Sequence, residues 1–165
     1  RMSAGIAPDV LSRRLGTTDT EMLFFFLLSR AAAAGIDPEG RGAVSVDVLA
    51  AVLVDAMADL RAWTEAAGAR APVVNFLLTN GSVFLAHRDG RELFFATQKS
   101  SCRDSETCVE PQKPCLLAER PHDHVNHLLV ASERIGEEDR WEEVPERAIV
   151  TLSHDFRLRV WSYAA

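Results

Sequence analysis

Asp19 stands at the start of a segment whose residues could bind an ammonium group. Thr18 precedes it and Glu21 follows, which is typical of a capping box with Thr18 as N-cap and Glu21 reaching back to it. The segment continues as MLFFFLL (22–28), which is too apolar for an exposed helix. The helix dipole favours an ionised Asp19, and a charge-assisted hydrogen bond from an ammonium group contributes about 1.5–3 kcal/mol. Asp19 and Thr18 are therefore candidate ligand-binding residues, and the alternative is that Asp19 serves the helix dipole alone.

A second group of residues has the side chains that bind zinc. Three cysteines and three histidines lie within 26 residues, namely Cys102, Cys108, Cys115, His122, His124 and His127. Zinc accepts such ligands, but the close cysteine pairs of a standard zinc knuckle are absent. We expect reduced thiols and ordinary loop histidines, without metal or other cofactor. A metal site and a disulfide that leaves one cysteine over are the alternatives.

Two helices are predicted to position the first group. One spans residues 19–34 and ends at Gly35, which serves as a left-handed cap. The other runs from Ser45 to Gly68 and is amphipathic, so that one face packs on one sheet. That face is predicted to carry Val48, Val52, Ala56, Leu60 and Trp63.

From Pro72 onward, apolar residues tend to recur at every second position, which predicts strands. Residues 73–79, 82–87 and 91–97 are predicted to form a three-stranded meander, with a two-residue type I′ turn at Asn80-Gly81. Residues 98–124 are an irregular insertion, and further strands are predicted at 125–132, 148–153 and 156–161. We expect His87 at a strand end on the surface, and a loop over 137–146 pinned by Trp141 and Pro145. These elements predict a single α+β domain over residues 1–165.

Four segments in order resemble the class II glutamine amidotransferases. They are GTTDTE (16–21), VNFLLTNG (74–81), VASE (130–133) and WEEVP (141–145). The resemblance implies a partial αββα sandwich of the N-terminal-nucleophile hydrolases, with two long helices followed by mainly antiparallel strands. It also implies that Asp19 holds the α-amino group of the substrate.

The resemblance also identifies family elements that these 165 residues lack. Family members begin with a nucleophilic Cys activated by its own α-amino group, whereas this sequence begins with Arg1. The family's Arg for the substrate carboxylate and its oxyanion-hole Asn-Gly do not fit before Gly16, and we carry neither role to Arg13 or Arg14. We therefore expect the chain to be the later part of a longer domain, with no catalytic residue of its own and no activity by itself.

The function that the resemblance implies is hydrolysis of a γ-glutamyl amide bond, with glutamine as the type of substrate. The glutaminase nucleophile would come from the missing N-terminal segment of the same domain. The alternative is a non-catalytic protein of the same fold that binds an amino acid or a partner, and a homo-oligomer stays open.

The composition of the chain argues against some classes of partner. The chain carries 24 acidic and 18 basic residues, a formal net charge of −6, which disfavours nucleic acid. No apolar run reaches the ~18 residues of a membrane-spanning helix, and the first residues have no signal-peptide core. We therefore expect a cytoplasmic protein without a membrane partner.

Overall fold

The computed structural model describes residues 2–37, 44–70, 72–101 and 124–163. These residues form two compact units, one ending at Pro72 and the other beginning at Val73. The first unit is helical and the second consists of antiparallel strands. The α+β class is confirmed, as is the order of helices before strands. The assignment of residues 1–165 to one domain stays a prediction.

The helical unit begins with a 3₁₀ turn, Met2–Gly5, and a short helix α1, Pro8–Leu11. Two long helices follow, α2 at Asp19–Ala33 and α3 at Val46–Ala66. Both begin at the predicted residues, because Thr18 and Ser45 are N-caps whose hydroxyl oxygens accept backbone N–H groups. Helix α2 ends where Gly35 takes a positive φ of 78° and the Ile36 N–H bonds to the Ala31 carbonyl at 3.0 Å.

Helices α2 and α3 pack against one another around Phe26. The Phe26 ring lies 5.4 Å from the Trp63 ring, and the Arg30 side chain of α2 pairs with Asp59 of α3. The buried residues of α3 are Leu49, Ala50, Leu53, Ala56, Met57 and Leu60.

The face predicted for α3 is wrong in part, because the buried face lies about one residue further along the sequence. Val48 belonged to that face but is 47% exposed, whereas Leu53 and Met57 are buried. This helix carries apolar residues on most of its circumference, so periodicity alone leaves the choice of face to the neighbouring helix.

The second unit holds two antiparallel sheets. The first sheet has the order β1-β2-β6-β7, with β1 at Phe76–Thr79, β2 at Phe84–Arg88, β6 at Ala148–Leu152 and β7 at Leu158–Ser162. The second sheet has the order β4-β3-β5, with β3 at Phe94–Lys99, β4 at Leu129–Ala131 and β5 at Asp139–Glu143. A shared apolar core contains Ala86, Leu93, Phe95, Val144, Ala148 and Val150.

The predicted three-stranded meander is wrong in its third strand. Strands β1 and β2 pair as expected, but β2 then pairs with β6, and β3 belongs to the other sheet. The chain changes sheet after Gly90, which has a φ of 99°. Turn signals such as Asp-Gly mark where a strand ends, but they do not identify the strand that pairs next.

The turn at Asn80 is confirmed, but its two-residue form is wrong. The last pair of the hairpin is Thr79 with Phe84, which leaves a four-residue loop. The Asn80 side-chain oxygen accepts the N–H groups of Ser82 and Val83, both at 3.0 Å. Asn80 thus closes the loop through its side chain, as in an Asx turn.

The prediction of a loop over 137–146 is wrong because strand β5 lies within it. Its side chains are exposed or half-buried, so no apolar alternation marks it, and its pairing with β3 makes it a strand. Strand β4 is shorter than predicted, and the predicted insertion overlaps the end of β3. Among the described residues, no helix combines the length and apolar character needed to cross a membrane.

Candidate functional site

Thr18 and Asp19 lie together at the start of α2. The Thr18 hydroxyl oxygen accepts the Glu21 N–H at 3.2 Å, and Asp19 is the first helical residue. Asp19 is exposed, and its Oδ1 accepts the Thr20 N–H at 2.8 Å. The carboxylate is therefore open to solvent at the positive end of the helix dipole, where an anion is favoured.

The Glu21 carboxylate organises the loop that leads to Asp19. It accepts the Leu15 N–H at 2.9 Å and the Gly16 N–H at 2.8 Å, so the predicted bond back to Thr18 is replaced by bonds further upstream. A Cβ on Gly16 would lie 2.7 Å from Glu21 Oε2, so any other residue at this position would displace the carboxylate from its present place. We call these contacts between Glu21 and the 15–16 backbone the Glu21 clamp.

The clamp favours an ionised Glu21. The Leu15 and Gly16 N–H groups, in that order, lower the pKa of Glu21 below its usual value, and desolvation opposes them in part. Arg14 adds a smaller lowering, with its Nε 3.8 Å from the carboxylate. Since Arg14 Nε also donates to the Gly16 carbonyl at 2.7 Å, this guanidinium contributes to the loop itself.

The other segments that carry the resemblance lie in the second unit. Residues 74–81 include β1 and its turn, 130–133 cover the end of β4, and 141–145 cover the end of β5. Asn80 acts in the turn, which agrees with its prediction as a turn residue.

The metal candidates fall largely outside the described residues. Cys102, Cys108, Cys115 and His122 lie there, while His124 forms a single β-bridge with Arg157. In the part of the chain that the structure describes, no three His, Cys, Asp or Glu side chains are grouped as metal ligands. That the cysteine thiols are reduced and bind no metal stays a prediction.

His87 is fully buried, which overturns its prediction as a surface residue. Its Nδ1 lies 2.7 Å from the Val74 carbonyl oxygen and its Nε2 lies 2.5 Å from the Tyr163 hydroxyl. Because a carbonyl can only accept, Nδ1 donates to Val74, and Nε2 forms the second hydrogen bond with the Tyr163 hydroxyl. The Phe76 ring stacks on His87 at 4.8 Å. The sequence signal for this burial is the alternation of side chains along a strand, which puts His87 on the same face as the buried Leu85.

Arg88 links strands of the two sheets. Its Nη1 donates to Glu143 at 2.6 Å and to the Val144 carbonyl, and its Nε lies 3.3 Å from Glu146. Glu146 also accepts the Gly90 N–H at 2.8 Å. With 11% of its side chain exposed, Arg88 is part of the packing between the sheets.

Comparison with solved structures finds a protein of similar fold. No protein-family model matches the chain, and no curated protein matches it. A solved structure of a glutamine aminotransferase class-II domain protein from Silicibacter pomeroyi superposes with a TM-score of 0.63 at 19% sequence identity. The match covers 99% of this chain and 59% of that chain, so this chain spans about three fifths of that structure. The two proteins share a fold.

Proposed function

We propose that this chain is the later portion of a class II glutamine amidotransferase-like amidohydrolase that cleaves a γ-glutamyl amide such as glutamine. The observation that carries the proposal is the exposed Asp19 carboxylate at the start of α2, in a chain that shares its fold with a class-II domain protein. The proposed fold is part of an αββα N-terminal-nucleophile sandwich, supported by two long helices and two antiparallel sheets.

The proposed reaction requires a nucleophile from outside these residues. The thiolate of an N-terminal Cys attacks the γ-carbonyl carbon, which forms a C–S bond and places the electron pair on oxygen. The tetrahedral intermediate collapses, the C–N bond breaks, and the nitrogen takes a proton from the α-ammonium group of the Cys and leaves as ammonia. Water then hydrolyses the thioester to a γ-carboxylate and regenerates the thiol.

Asp19 binds the substrate in this proposal rather than reacting with it. Its carboxylate accepts N–H bonds from the α-ammonium group of the γ-glutamyl substrate, which positions the γ-carbonyl of the bound substrate relative to the nucleophile. A fixed geometry matters because near-attack positioning is worth several orders of magnitude in effective concentration. Thr18 and the Glu21 clamp hold the backbone on either side of Asp19.

The test of this role compares two carboxylates at helix starts. Asp19→Asn keeps the shape and removes the charge, and Asp47→Asn makes the same change in the first turn of α3. In the natural protein that carries this chain, we expect Asp19→Asn to raise the KM for glutamine about 10-fold or more, since one charge-assisted bond is lost. Asp47→Asn should leave KM unchanged. Equal KM values for the two variants would remove Asp19 from the site.

The nucleophile is tested by the native product. Intact mass and N-terminal sequencing should find a mature N-terminus that begins with Cys, together with ammonia release from glutamine. A product without an N-terminal Cys would exclude the thiolate mechanism. Retained glutamine binding in such a product, weakened by Asp19→Asn, would instead establish a non-catalytic amino acid binding protein.

A further inference from the structure

A cleft of about 300 Å³ lies at one end of the first sheet, between the β1–β2 loop and the β6–β7 loop. Buried and half-buried side chains of Val83, Phe84 and Leu152 line it, together with exposed residues that include Ser82, His154 and Phe156. The residues that line the cleft do not include Asp19 or Thr18, which were assigned above to the γ-glutamyl substrate. Its volume is at the lower end of the range of small-ligand pockets.

Phe156 has a backbone conformation that phenylalanine rarely adopts. Its φ is 60°, in the left-handed region, and it occupies the position of a short hairpin loop where glycine or asparagine is usual. Two bonds hold it there, from the Phe156 N–H to the Ser153 carbonyl at 3.0 Å and from the Val125 N–H to the Phe156 carbonyl at 2.9 Å.

The phenyl ring gains little from burial in return for this strain. Phe156 is 49% exposed, although it lines the cleft. A glycine at this position would relieve the strain without emptying any apolar core. Residues strained in this way cluster at active sites and ligand-binding sites.

Side-chain bonds hold both loops in place. The Ser153 hydroxyl donates to Asp155 at 2.5 Å, and the Arg157 Nε donates to the same carboxylate at 3.0 Å. The Ser153 bond is the leading cause of a lowered pKa of Asp155. On the opposite side, Asn80 closes the β1–β2 loop through two backbone N–H groups. These bonds restrain the backbone on both sides of the cleft.

The lining selects the chemistry of a ligand. His154 is the ionisable residue among those that line the cleft, and the charge of Asp155 is matched by Arg157. An uncharged ligand is favoured, because none of the residues that line the cleft carries a permanent charge to replace the hydration that a charged ligand would lose. A half-exposed phenyl ring favours stacking with a planar partner, and His154 and Ser82 supply polar groups for its edge.

We propose that this cleft binds an uncharged aromatic group with one polar edge. The ring stacks on Phe156, and its polar edge forms a hydrogen bond with His154 or Ser82. The group comes either from a small molecule or from an aromatic side chain of a peptide. Both sources present the same chemistry to the cleft.

The test is an NMR titration of the full-length protein that carries this chain. The probes are p-cresol, benzoate as a charged ring of similar size, and the blocked peptide acetyl-Ala-Tyr-Ala-amide. We expect saturable shifts at the Ser82 and His154 amides with p-cresol, and at least about tenfold weaker binding of benzoate. Tighter binding of the peptide than of p-cresol identifies a peptide source, and equal or weaker binding identifies a small molecule.

Two variants and a control separate binding from folding. Phe156→Gly and Phe156→Asn both tolerate a positive φ, so each should keep or raise the melting temperature while weakening p-cresol binding about tenfold or more. The control is Val160→Ala, an exposed apolar residue of the same hairpin that does not line the cleft. The proposal is overturned if p-cresol causes no saturable shift, if benzoate binds equally well, or if both Phe156 variants bind p-cresol as the wild type does.

Discussion

Replacing Tyr163 by phenylalanine removes the hydroxyl that bonds to buried His87 and keeps the ring. The ring contact should survive, because the Tyr163 ring stacks on the His87 ring at 5.9 Å and 12°. The backbone should stay in place too, since the Tyr163 N–H bonds to the Arg147 carbonyl at 3.0 Å. The variant therefore removes the hydrogen bond that the hydroxyl makes with a residue 76 positions away in the sequence.

The expected cost follows from the burial of His87, which has no exposed surface. Taking the hydrogen-bond partner away from a buried polar atom costs about 1–3 kcal/mol, because water does not replace the lost bond. In a chain of this length, each kcal/mol shifts the melting temperature by about 2–4 °C. Tyr163→Phe should therefore lower the melting temperature by roughly 2–12 °C.

The assay is urea denaturation of wild type, Tyr163→Phe, His87→Leu and the double variant. If the hydroxyl acts through the imidazole, Tyr163→Phe should cost much less once His87 has been replaced by leucine. The reasoning fails if Tyr163→Phe changes the free energy of unfolding by less than about 0.5 kcal/mol, the range of ordinary surface changes. It also fails if the cost is the same in both backgrounds.

Two further predictions concern the helical unit. Leu53→Ala in the buried face of α3 should lower the free energy of unfolding by about 2–5 kcal/mol. Val48→Ala on the exposed side should change it by less than about 0.5 kcal/mol. If urea denaturation shows a larger loss for Val48→Ala than for Leu53→Ala, the observed face is contradicted. Because the folded-state pKa of Glu21 lies below the usual 4.5, its clamp stabilises the protein above that pH and loses this effect as pH falls through the lowered pKa. Glu21→Gln should thus be less stable than wild type at pH 7, with faster exchange of the Leu15 and Gly16 amides, and the difference should vanish in acid. A difference in stability that is independent of pH would refute the role of the charge.

The helix starts could be predicted from the sequence because their causes are local. Thr18 and Ser45 cap helices through N–H groups three residues away, and Gly35 ends a helix through its own backbone conformation. Asp19 was therefore placed correctly at the start of α2. The partner of Glu21 was missed, because the backbone of residues 15–16 turns back towards the helix.

The arrangement of the strands depended on contacts that are distant in sequence. Whether β3 joins β2 or the second sheet is decided by pairing with β4 and β5, and the polar strand β5 exists only through that pairing. His87 is buried for the same reason, since Val74 and Tyr163 reach it from separate segments. The sequence by itself determined the helix boundaries and the candidate Asp19, because hydrogen bonds within a few residues decide them. Only the tertiary structure decided the sheet order, the burial of His87 and the cleft beside Phe156, because each depends on strands and loops that meet only in the folded chain.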